Sequence, residues 1–327
     1  MEVEKLDNST EAITPIYSVV SAYAYSAVGS GGMVVNVFIL AVLLSDHKFL
    51  KQSANMVGIA ISHFLCALAV GASGYYRVVN YWQLTQPATA WSCATRVYPA
   101  MHPFAFQSMG LMLIVVGVER FSVFMFPTRY RAQWTEVRSW RIILLVYTYV
   151  FISLLVGLYQ VWFQPMTTIH CSYVSVFGEN YITYSGCISV LGGTGAVILT
   201  IAGLIKGTIQ ARTLPLLSGE AGRHRRQLRL TRSMLSITLC DFCLVVIPNT
   251  LFVLWVQRSI SYNLSSFTNI AYCLNSLMTI GPYMAFHKYF RIRVEKFLKC
   301  KKHTVAPMDA QIRALELRTV GLTPAAN

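Results

Sequence analysis

Charge is what this sequence has least of. Only 12% of its 327 residues are charged, while 55% are hydrophobic; a soluble chain carries roughly 25% charged residues. Much of the chain therefore has no water to face. The same arithmetic excludes a collagen, a coiled coil, a disordered tail and a disulfide-rich mini-protein. There is no phosphate-cradling glycine loop, no pair of carboxylates and no nucleophile with a positioned base, so nothing reads as an enzyme. His and Cys nowhere stand at metal-ligand spacing, and no cofactor is implied. Residues 1–15 are polar and acidic (Glu2, Glu4, Asp7, Glu11), without a basic stretch ahead of a short apolar core. No cleavable signal peptide is read there.

What the chain does have is long apolar runs. A helix needs roughly 20 apolar residues to cross a hydrocarbon core. Seven stretches qualify, at 16–44, 54–79, 95–126, 140–163, 181–205, 230–256 and 265–286. Pro99 and Pro103 interrupt the start of the third, and the fifth is rich in glycine. The fold class that follows is an all-α membrane protein, a seven-transmembrane helix bundle over 16–287. Residues 1–15 precede it, a short amphipathic eighth helix occupies 288–300, and a tail covers 301–327.

Basic residues orient the bundle. On alternate connections and the tail lie Lys48 and Lys51, then five residues from Arg120 to Arg141, seven from Lys206 to Arg232, and nine from Lys288 to Arg318. Only Lys5, Arg77, Arg96 and Arg258 remain for the other side. That asymmetry is the positive-inside rule, and it predicts an outer N-terminus and a cytoplasmic C-terminus in a multi-pass plasma-membrane protein. The formal charge of +14 is thus divided among loops flanking the bilayer, which removes nucleic acid as a partner. The sequons at Asn8 and Asn263 both fall on the outer side. Of the eight cysteines, Cys93 and Cys171 stand on that oxidising face, where a bridge would staple the loop after the fourth span across the mouth of the bundle.

Several motifs carry a resemblance. Asn36 follows Gly31-Gly32 in the first run. Trp91-Ser92-Cys93 precedes the third, and Glu119-Arg120-Phe121 closes it, followed by Pro127 and Tyr130-Arg131. Phe242 and Pro248 stand six apart in the sixth run, and Asn275-Ser276 and Gly281-Pro282-Tyr283 end the seventh. Over roughly residues 17–300 the chain resembles the rhodopsin-like G-protein-coupled receptors, and among these it looks most like the nematode serpentine chemoreceptors. His63 stands where that family has an acid in the second helix, and Val246 where it usually has a switch tryptophan. The resemblance implies a receptor for an extracellular small molecule or short peptide, acting on a heterotrimeric G protein, with a chemosensory role. A neuropeptide-type receptor is the nearest alternative and a transporter the more distant one; no internal repeat supports the latter.

On this resemblance Glu119, Arg120, Phe121, Pro127 and Tyr130 serve G-protein coupling, and Phe242, Pro248, Pro282 and Tyr283 form the switch. Counting back from Pro248 puts Leu228 where many such receptors carry an acid that holds the arginine, so that lock is missing. Ligand-pocket candidates in the outer thirds of the helices are His102, Phe106, Gln107, Asn249, Phe252, Trp255, Asn269 and Tyr272. A neutral, aromatic mouth suits a neutral or weakly polar ligand. His63 is expected to hydrogen-bond Asn36 or Asn275, and Asp241 to pair with basic residues below it. Phe290, Val294, Phe297 and Leu298 recur at helical spacing on one face of the eighth helix. Cys300, among lysines at its end, is a candidate for lipidation.

Overall fold

A computed structural model describes residues 14–45, 47–79, 88–96, 98–163, 167–168, 171, 173–213, 219–256, 262–286 and 288–298. They are almost wholly helical. The first spans are α1 (Thr14–Leu44) and α2 (His47–Val79), and a short α3 (Ala90–Ala94) precedes α4 (Tyr98–Met125). Then come α5 (Pro127–Gln133), α6 (Glu136–Phe163), α7 (Tyr173–Thr213), α8 (Gly219–Asp241) and α9 (Ile247–Val256). The series ends with α10 (Tyr262–Met278), α11 (Ile280–Phe286) and α12 (Lys288–Leu298). Two-residue strands, β1 (Ala88–Thr89) and β2 (Thr167–Thr168), pair antiparallel. The chain divides at α12: a bundle unit runs to Arg291, and of the second unit the described part is the end of that helix.

Six helical stretches are long and apolar enough to cross a membrane. They are Val19–Leu44, Ala54–Val79, Tyr98–Met125, Glu136–Phe163, Tyr173–Arg212 and His224–Leu254. Their outward faces carry large apolar side chains: Leu144, Leu145, Phe151, Ile152 and Val156 on α6 are all about half exposed or more. A water-soluble surface does not present so continuous an apolar band. The chain is a multi-pass helical membrane protein.

The seventh apolar run differs from the others. It is broken at Thr279 into α10 and α11. Pro282 has no N–H to give the Met278 carbonyl, so the ladder lapses there. The Thr279 hydroxyl turns back to the Asn275 carbonyl at 2.6 Å. In the sixth run Pro248 has a related effect. Residues Phe242–Val246 form a π-helical turn between α8 and α9, and the Thr250 hydroxyl donates to the Val246 carbonyl at 2.8 Å. The extra residue in that turn absorbs the proline.

Glycine places the helices at close range. A Cβ on Gly117 of α4 would lie 2.7 Å from the Ala196 backbone of α7, and one on Gly110 only 2.6 Å from that of Ser189. On α2, a Cβ on Gly74 would sit 2.6 Å from the Ala22 carbonyl oxygen of α1. Without a hydrophobic drive between helices in lipid, such close backbone packing is what joins them. Gly178, at φ 75°, breaks α7 near its start, a conformation open to glycine but costly for other residues.

Candidate functional site

Cys93 and Cys171 are bonded, with Cα atoms 5.2 Å apart. The Tyr98 hydroxyl donates to the Cys171 carbonyl at 2.8 Å, and Arg96 Nη1 lies 3.3 Å from Cys171 Sγ. The loop before α7 is thereby tied to the head of α4.

Beneath this staple the pocket candidates converge. The His102 ring stacks on Tyr173 at 5.0 Å, and Phe106 stacks on Tyr272 at 4.1 Å while meeting Tyr173 edge-on at 5.9 Å. Phe252 reaches Tyr173 at 6.3 Å. Tyr173, which sequence reasoning passed over, is the hub of the group.

A chain of hydrogen bonds crosses the cluster. Ser189 Oγ donates to the Phe106 carbonyl at 3.3 Å. The serine has a single proton, so at their 3.2 Å contact the Tyr272 hydroxyl donates to Ser189. Asn249 Nδ2 in turn donates to that tyrosine oxygen. Four helices, α9, α10, α7 and α4, are joined by one directed relay.

Gln107 belongs to a second network. The Tyr181 hydroxyl gives its proton to the Ser153 carbonyl at 3.0 Å and accepts from Gln107 Nε2 at 3.4 Å. Gln107 Oε1 and Asn269 Oδ1 are left buried without a partner among the described residues. Trp255 lies in α9, but its side chain is outside the described residues, as are Asn8 and Cys300; Asn263 falls in the first turn of α10.

At the opposite end of α4, Glu119 and Arg120 are buried and ion-paired. Glu119 collects two further donors, Asn55 Nδ2 at 2.8 Å and the Tyr130 hydroxyl at 3.1 Å. Burial, and then the Glu119 carboxylate beside it, push the Tyr130 hydroxyl's pKa above its ordinary value, so it remains a donor at any physiological pH. Phe121 is half-buried and Pro127, which opens α5, is exposed. Asn55 was not anticipated; a polar residue one position into an otherwise apolar run was the available signal. Leu228 packs with Val123 and Phe124. At Leu228 the base of α8 therefore meets α4 through an apolar contact.

The interior between these two ends corrects two expectations. Asp241 does not reach basic residues below it: His63 Nε2 lies 3.4 Å from its Oδ1, and Asn275 Nδ2 donates to the same oxygen at 2.6 Å. His63 therefore faces Asp241 instead of Asn36 or Asn275. Asn36 bonds the Gly32 and Ser276 carbonyls at 2.8 and 2.9 Å, and Ser276 Oγ donates to the His63 carbonyl at 3.1 Å. Neither ring nitrogen of His63 has a hydrogen-bond partner among the described residues, and the one hydrogen bond to the Asp241 carboxyl comes from Asn275. Of the switch candidates, Tyr283 is fully buried against Phe290 at 5.1 Å, and Pro248 is buried. Phe242 is only half-buried; Val245 and Val246 are the buried residues of the π-turn.

Compared with protein-family models and with curated proteins, the chain matches none. Its class rests on the fold, a multi-pass helical bundle with a stapled aromatic site at one end and a buried acid–arginine pair at the other.

Proposed function

We propose that the chain is a seven-helix receptor of the rhodopsin-like, G-protein-coupled kind with a chemosensory role. It binds a small neutral molecule or short peptide at the disulfide end and promotes nucleotide exchange on a heterotrimeric G protein at the Arg120 end. On this reading α10 and α11 together make the seventh span, the N-terminus faces outward at the plasma membrane, and α12 is the amphipathic eighth helix on the inner surface.

The observation that carries it is the arrangement of Glu119-Arg120 at the end of α4, opposite the stapled site. From Tyr98 to Arg120 the helix is about 33 Å long at 1.5 Å per residue, which is one bilayer core. Arg120 is withheld by Glu119, itself held by Asn55 and Tyr130. When the kinked α8–α9 unit moves, the guanidinium becomes available to an inserted partner helix. Allostery in this form needs two states and a ligand that prefers one of them. The relay from Asn249 to Phe106 ties the moving unit to the ligand site.

The residues named in the aromatic cluster include no Asp, Glu, Lys or Arg, which suits a neutral ligand. The test is a ligand screen with second-messenger readout in a heterologous cell, wild type beside Arg120→Ala. The variant is expected at normal surface level with output abolished. Normal signalling by Arg120→Ala to an identified agonist would overturn the reading.

The His63–Asp241 pair favours a second reading, a proton-coupled transporter, because buried ionisable pairs also mark proton pathways. Proteoliposomes that acidify on addition of a substrate gradient would support it.

A further inference from the structure

Tyrosine hydroxyls on α6 and α7 are satisfied in two ways. Tyr147 gives its proton to the Gly58 carbonyl at 3.0 Å, and Tyr181 gives its own to that of Ser153 at 3.0 Å. Tyr149 and Tyr184 reach no carbonyl. Their hydroxyls lie 2.6 Å apart, and this is the one hydrogen bond that either makes among the described residues. One hydroxyl uses its proton on that contact. The hydroxyl that accepts keeps a proton of its own, with no acceptor for it among the described residues.

The pair is exposed, at 47% for Tyr149 and 40% for Tyr184, but not to water. Tyr149 stands midway between Glu136 and Phe163, the ends of a helix about 42 Å long at 1.5 Å per residue. A helix of that length that crosses a core of roughly 30 Å holds its midpoint in hydrocarbon. On the same face of α6, Leu145, Ile152 and Val156 are exposed at i−4, i+3 and i+7. On α7, Cys187 and Leu191 are exposed at i+3 and i+7 from Tyr184. The unused proton thus belongs to an apolar strip shared by two helices. A donor left unsatisfied in hydrocarbon is costly, and whatever satisfies it must itself be at home there. A carboxylate or a phosphate is not. A hydroxyl would accept the proton but bring another that needs an acceptor. A neutral carbonyl oxygen accepts and brings none.

We propose that the Tyr149–Tyr184 pair is a binding site for a lipophilic ketone, a neutral molecule with an apolar body that enters from the hydrocarbon. Its carbonyl oxygen takes the free tyrosine proton, and its body lies on the apolar side chains around the pair. The site needs only that α6 and α7 span a membrane, and stands whether or not the chain is a receptor.

The test uses the purified full chain in nanodiscs of ether-linked phosphatidylcholine, a lipid without carbonyl groups. The probe is a long-chain dialkyl ketone carrying a photoreactive diazirine, run beside the analogue with a methylene in place of the carbonyl. Labelling of α6 and α7 is read by peptide mass spectrometry. The ketone is expected to label them about fivefold more than the hydrocarbon analogue, and Y149F/Y184F to bring the two probes level. Y149F alone and Y184F alone are expected to keep the preference, because each leaves one hydroxyl with its proton free. Y159F removes another exposed hydroxyl from α6 and is expected to label as wild type does. In ester-linked phosphatidylcholine, where the bilayer's own carbonyls compete, the preference for the ketone is expected to persist. Unchanged thermal unfolding of the double variant shows that it is folded. Equal labelling by both probes in the wild type, a preference that survives in the double variant, or one that disappears in ester-linked lipid would each overturn the proposal.

Discussion

Asp241 and His63 are each almost wholly inaccessible, at 1% and 0% exposure, and His63 Nε2 lies 3.4 Å from Asp241 Oδ1. Truncating one member of such a pair strands the other in a medium that cannot solvate it. Asp241→Ala is expected to destabilise the protein by about 3 kcal/mol, read as thermal unfolding in nanodiscs. The double variant His63→Leu/Asp241→Leu is expected to recover only part of that loss, because the buried Asn275 amide still loses its acceptor. A double variant as unstable as the single would show that the pair is not the source. Both residues stood out in the sequence as ionisable groups inside apolar runs. Their partnership did not, because position along the chain says nothing about which faces of α2 and α8 meet. Glu119 was legible as a charged pair with its neighbour Arg120, but the Asn55 and Tyr130 bonds that hold it depend on tertiary packing. Tyr173 was hidden for a similar reason: it lies between Cys171 and Gly178, outside the apolar run that defines the fifth span.

At the scale of the helices, apolar length was the readable quantity, and it located the spans to within a few residues at most ends. Breaks inside them were harder. Pro248 and Pro282 announced lost backbone bonds, yet only the structure shows one absorbed by a π-turn and the other splitting the seventh run at Thr279. The start of α7 was missed because Gly178 departs from helical geometry, which lets Tyr173 begin a helical segment well before the apolar run. Glycines in the fifth run were visible as composition; their use became clear only against α4. Gly117→Val puts a side chain 2.7 Å from the Ala196 backbone, where no rotamer relieves the clash. The α4–α7 pair cannot close around it, and folded, monodisperse protein after detergent extraction is expected to fall severalfold. Wild-type yield and unfolding temperature for Gly117→Val would mean the helices approach less closely than described.

Across the whole molecule the spans differ in how much of themselves they hide. In its most apolar window α2 is 72% buried and α6 only 22%. Hydrophobicity alone marked both runs as long enough to cross a membrane, because lipid and protein interior select for the same side chains. Outward and inward faces therefore could not be told apart before the helices were packed. The difference has a consequence for truncation. Leu113 on α4 is 1% exposed and Leu145 on α6 is 67% exposed, yet both sit in hydrocarbon. Leu113→Ala leaves a void that fixed neighbours cannot fill and is expected to cost about 3 kcal/mol. Leu145→Ala opens its gap toward acyl chains, which flow into it, and should shift stability by no more than about 0.5 kcal/mol. Thermal unfolding of the two variants in one lipid composition measures the contrast directly. A fluid heals a wound that a solid keeps, and around this protein the boundary between the two runs along the middle of each helix.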